Sequence, residues 1–128
     1  MTVISCLLAA VGLYFLNIVA QAVFANIHHD PKTLLGPRDG FESESVGLLR
    51  AKRAQANFTE AMVMFVPVAL LAHVTGQGEG AAAFGGALFV VSRAFYLAIY
   101  LAGTPVVRSL AWAGGLLGTA IIFWVVLT

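Results

Sequence analysis

Three groups of residues in this chain could do chemistry. Arg53, Asn57 and Glu60 stand at i, i+4 and i+7 within RAKRAQANFTE, residues 50–60. A helix turning about 100° per residue sets them in one stripe. Arg50 lies close to that stripe, and Gln55 points nearly the opposite way. Arg93, Tyr96 and Tyr100, spaced i, i+3 and i+7, form a second stripe. Arg108 follows Pro105 by three residues, inside the first turn of another helix. There the free backbone N–H groups and the positive end of the helix dipole join the guanidinium in an anion site. Such a set suits a small zwitterionic anion. Arginines take carboxylates by paired hydrogen bonds, Glu60 can hold an ammonium, and Asn57 and the tyrosines can serve amide groups.

The elements that must position these residues are membrane spans. The chain of 128 residues is 60% hydrophobic and 10% charged, where a soluble domain carries about 25% charged residues; its mean hydropathy is +0.92. Spans of about 20 residues allow four, at about 2–27, 46–74, 81–102 and 105–127. The fold class is therefore all-α: an integral membrane four-helix bundle, one domain over residues 1–128. The net charge of +1 says nothing about partners, and no basic block points to nucleic acid, so no nucleic-acid partner is expected. The lone Cys6 permits no disulfide framework. His28 and His29 have no third ligand at helical spacing, so no metal is expected. The first apolar run lacks a basic n-region and is too long for a signal peptide, so it reads as a retained span.

Several local expectations follow. Asn17 and Gln21, one turn apart, read as interhelical hydrogen-bonding glue. Residues 30–45, DPKTLLGPRDGFESES, read as a loop, with Ser43 or Ser45 capping the next helix. Pro67 should kink span two. The small residues Ala81, Ala82, Ala83, Gly85 and Gly86, and Gly114-x-x-x-Gly118, allow close helix approach. Thr104 should cap span four, with Pro105 at its first position. An ionised group near a bilayer centre is unfavourable by roughly 2.5–3.5 kcal/mol. Arg50 and Lys52 can snorkel to water; Asn57 and Glu60 are too short and too far along the helix. Arg93 lies about 13 Å inside its helix end, and Glu60 is the only carboxylate within any span, so a Glu60–Arg93 pair is expected. Lys32, Arg38, Arg50, Lys52, Arg53 and Arg108 all fall on one membrane face. The positive-inside rule makes that face cytoplasmic and puts both termini on the other side.

The two stripes also carry a resemblance. Arg53-Ala-Gln55-Ala-Asn57-Phe-Thr-Glu60 resembles the RAQxNxxE signature of the MAPEG family, the membrane-associated proteins in eicosanoid and glutathione metabolism. Arg93-Ala-Phe-Tyr96-Leu-Ala-Ile-Tyr100, with Pro105 and Arg108 after it, is similar to that family's third-span pattern and the arginine opening its fourth helix. The similarity covers essentially the whole chain. It implies a homotrimer of four-helix subunits, with glutathione as co-substrate bound near the cytoplasmic face between neighbours. Arg53, Asn57, Glu60, Arg93, Tyr96 and Tyr100 would then bind glutathione, Gln55 would reach a neighbour's site, and Arg108 would stabilise the thiolate. The sequence departs from the family at Ala61, where some members have a tyrosine. It departs again at His28, His29 and Asp30, where leukotriene-forming members have a basic helix end; this argues against leukotriene C4 synthesis.

The resemblance therefore implies an enzyme. Glutathione thiolate would attack a lipophilic electrophile or reduce a lipid hydroperoxide, with membrane lipid, a lipophilic second substrate and its own copies as partners. A non-catalytic protein of the same fold that binds glutathione is the alternative. A small four-span exporter would need a carboxylate inside the first span, and residues 2–27 contain none.

Overall fold

The computed structural model describes residues 1–28, 46–102 and 104–128. Among the described residues four helices follow one another: α1 (Val3–His28), α2 (Val46–Val74), α3 (Ala81–Ala102) and α4 (Pro105–Leu127). No strand occurs among the described residues. Each helix contains a stretch long and apolar enough to cross a membrane, so the chain is a multi-pass, all-helical membrane bundle. Leu8, Phe15, Val63, Phe84, Leu110 and Phe123 stand on its outside, where lipid is as good a solvent for them as the interior. Close packing and interhelical hydrogen bonds must therefore hold the helices together.

At the end that carries both termini, the Val3 N–H donates to the Gly78 carbonyl at 2.7 Å. This ties α1 to the turn between α2 and α3. That turn reverses within six residues because Gly76 and Gly80 adopt φ of 76° and 57°, a region that suits glycine. Farther along, the Tyr14 hydroxyl and Thr59 Oγ1 share a hydrogen bond of 2.8 Å between α1 and α2. A line of rings crosses the bundle from there. Tyr14 meets Phe58 edge-on at 5.4 Å, Phe58 lies 6.4 Å from Phe89, and Phe65 stacks on Phe89 at 3.8 Å.

α3 and α4 form the most intimate pair, and glycine is the reason. A Cβ at Gly118 would lie 2.5 Å from the Gly85 carbonyl oxygen and 2.8 Å from the Phe89 nitrogen. The two backbones touch directly. On the other side, a Cβ at Gly86 would meet the Cys6 side chain at 2.8 Å, so α1 also packs closely on α3, through a side chain.

One local expectation is revised. Asn17 is fully buried, but both of its amide atoms lack a partner, so it does not act as glue. Thr104 takes the N-cap position of α4 in the extended conformation usual there, with Pro105 opening the helix as expected, although its side chain makes no capping bond. Pro67 lies inside α2, which continues on both sides of it. The expected loop over residues 30–45, with Ser43 and Ser45, lies outside the described residues, as does His29.

Candidate functional site

Arg93 is the largest fully buried side chain, only 2% exposed. It enters from the middle of α3 between α2 and α4. Its Nη1 donates to Asn57 Oδ1 on α2 at 2.7 Å, and its Nη2 makes a long 3.5 Å contact to the Trp112 carbonyl on α4. The guanidinium lies 5.2 Å from the Tyr96 ring centre and 5.6 Å from that of Phe89. A hydrogen bond to a charged group stabilises by about 1.5–3 kcal/mol, and a cation over a desolvated ring adds up to about 2 kcal/mol. Together these offset the roughly 2.5–3.5 kcal/mol insertion penalty. One of its nitrogens is left over: Arg93 Nε is buried with no hydrogen-bond partner among the described residues.

The guanidinium borders a small hollow of about 90 Å³, lined also by Asn57, Glu60, Trp112, Gly115 and Thr119. Asn57 and Trp112 form a common wall with a second, wider hollow of about 340 Å³, completed by Tyr96, Arg108 and Ser109. The two read as one cleft running from the bundle interior toward the start of α4. Small-molecule sites usually need about 300–1,000 Å³; the inner hollow alone is too small, and the joined cleft is large enough. Its deep end holds a desolvated cation with a spare donor, and its outer end holds the half-buried Arg108 in the first turn of α4. Such a cleft can orient an anionic ligand from both ends.

The expected site residues are not all brought together. Asn57, Glu60, Arg93, Tyr96 and Arg108 line the cleft. Arg53, a turn before Asn57, is exposed and outside its lining. Gln55 is half-buried and also outside; its backbone carbonyl accepts from Thr59 Oγ1 at 2.9 Å. Tyr100 belongs to α3, but its side chain lies outside the described residues. The Glu60–Arg93 ion pair does not form among the described residues. Asn57 takes the guanidinium instead, while Glu60 is exposed at the rim of the same hollow.

Of the cleft residues that were not anticipated, two shape it most. Gly115 seats the guanidinium: a Cβ there would fall 2.8 Å from Arg93 Nη2 and 2.9 Å from Nε. Trp112 supplies both a carbonyl and part of the shared wall. The signal for both lay in the tight turn between α3 and α4. Two helices folded back at such a turn place residues equidistant from it face to face. Arg93 stands ten residues before Gly103, Trp112 nine after it and Gly115 twelve after it.

No curated protein and no solved structure matches the chain. The MAPEG family model matches residues 1–128, the whole chain. The match spans all four helices, and this chain belongs to the MAPEG family.

Proposed function

We propose that the protein is a membrane-bound, glutathione-dependent transferase or peroxidase-like enzyme. In it, glutathione thiolate attacks a lipophilic electrophile or reduces a lipid hydroperoxide. The family includes both such enzymes and non-catalytic members. The observation that supports an active site is the buried Arg93 guanidinium, bonded to Asn57 with its Nε unpartnered, at the closed end of a cleft that opens at Arg108. A structural arginine would have its donors satisfied within the fold; Arg93 borders the inner hollow with Nε unsatisfied, and a small shift of the side chain would offer that donor to a carboxylate.

In this reading Arg93 and Asn57 orient a carboxylate of glutathione, Glu60 accepts its ammonium, and Tyr96 and Tyr100 contact the peptide groups. Arg53 and Gln55, outside the cleft of a single chain, act across the boundary with neighbours in a homotrimer. The basic end of the bundle faces the cytoplasm, following the positive-inside rule. Arg108 and the free N–H groups of α4 stabilise the thiolate. A free thiol has a pKa near 8.5, so little is ionised at neutral pH. Lowering it by about two units takes roughly 2.7 kcal/mol of preference for the anion, within reach of a partly desolvated guanidinium at a helix N-terminus.

The test is spectroscopic. Adding glutathione to the detergent-solubilised protein at neutral pH should raise a thiolate absorbance band. That band should fade as pH falls about two units below the range where the free thiol ionises. Arg108→Ala should remove the band and leave the helical circular dichroism unchanged. Glutathione binding with no thiolate at any pH below 8 would make this a binding protein instead.

A further inference from the structure

Trp112 has no role in the function as proposed so far, yet it stands at the centre of the cleft. It forms part of both hollows, so it separates the Arg93 end from the Arg108 end. It follows Arg108 by four residues on α4, one helical turn along the same face. Its backbone is fixed by the contact of its carbonyl with Arg93, and its side chain is 45% exposed. Among the described residues, its indole N–H donates to nothing.

A tryptophan in a membrane helix usually belongs to the headgroup belt, and Trp124 near the far end of α4 fits that position. Trp112 does not. It lies seven residues past Pro105, about 10 Å along the axis at 1.5 Å per residue. α4 has 23 residues, about 34 Å, and barely exceeds a hydrocarbon core of about 30 Å. The indole therefore sits well inside the apolar layer, level with Arg93, beside the place where a thiolate on Arg108 would react.

We propose that Trp112 is the specificity-determining residue of this site and that it selects planar, conjugated electrophiles by stacking on them. The assignment rests on the glutathione reading above. An electron-poor ring laid on the indole face gains an offset-stacking contact that a flexible alkyl chain cannot make. With a nitroaryl chloride the chemistry closes simply. The thiolate sulfur attacks the ring carbon bearing chlorine, the electron pair is held by the nitro-substituted ring, and chloride leaves with its bonding pair. The thiol proton has already passed to solvent.

The experiment first measures the thiolate band of wild type, Trp112→Leu and Trp112→Phe with glutathione. It then compares kcat/KM for a nitroaryl chloride and for a straight-chain enal of matched hydrophobicity. Trp112→Leu should keep the thiolate band and lower the aryl-to-enal ratio roughly 3- to 10-fold, and Trp112→Phe should restore most of it. In a Trp124→Phe background Trp112 is the sole tryptophan, and the dinitrophenyl conjugate of glutathione should quench its emission. An unchanged ratio in Trp112→Leu, or unquenched emission while the thiolate band persists, overturns this assignment and leaves the glutathione reading standing. No thiolate band and no turnover in wild type overturns both.

Discussion

Replacing Gly115 with alanine separates binding from folding more cleanly than replacing any charged residue. The added Cβ would lie 2.8 Å from Arg93 Nη2, about 0.6 Å inside ordinary contact at 3.4 Å. The atom it strikes is the end of a long side chain, so the guanidinium can yield while both backbones stay in place. To do so it must leave Asn57, to which it is bonded at 2.7 Å. Losing one charge-assisted bond and the alignment it gives amounts to about 1.5–3 kcal/mol, or a 10- to 150-fold weaker hold on glutathione. Helix propensity offsets part of this in the fold, with alanine favoured over glycine by up to about 1 kcal/mol, so thermal stability should fall by roughly 0.5–3 kcal/mol and the bundle should still form. Gly118→Ala is the matched control. Its Cβ would meet the Gly85 carbonyl at 2.5 Å and the Phe89 nitrogen at 2.8 Å, and backbone atoms cannot step aside. That variant should lose the bundle, with thermal unfolding shifted far down or expression lost. Isothermal titration with glutathione and a thermal melt, run on both variants, decide the matter. A Gly115→Ala protein that binds glutathione as wild type does would refute the role given to the buried guanidinium. A Gly118→Ala protein as stable as wild type would refute the close α3–α4 approach.

Asn57→Ala should strand the Arg93 guanidinium in an apolar setting and weaken glutathione binding at least tenfold by titration; Asn57→Asp, which keeps the acceptor, should retain more of the binding. Asn17→Leu should raise the melting temperature of the solubilised protein. It removes two buried polar atoms without partners, each unfavourable by about 1–3 kcal/mol, and a melting temperature that fell instead would show that Asn17 has a partner in the membrane. Tyr14→Phe and Thr59→Ala each break the 2.8 Å bond between α1 and α2. Each should lower stability by about 0.6 kcal/mol, and the double variant should be no worse than either alone; full additivity would mean the bond contributes nothing.

The sequence by itself determined the four-span, all-helical fold and the placing of the polar stripes toward one end of the bundle. Hydropathy over about 20 residues and a 100° turn per residue are local properties, readable without knowing any partner. Asn57 and Glu60 were legible as one stripe, as were Arg93 and Tyr96. Only the tertiary structure decided which member of a stripe meets which. Asn57 and Glu60 lie about 60° apart around α2, and the packing of α2 against α3 and α4 turns the first toward Arg93 and leaves the second at the rim. Gly115 was equally invisible: a glycine matters here through the guanidinium that fills its missing side chain, and that neighbour comes from another helix. A stripe is set by rotation about one axis, whereas a contact depends on the distance and rotation of two.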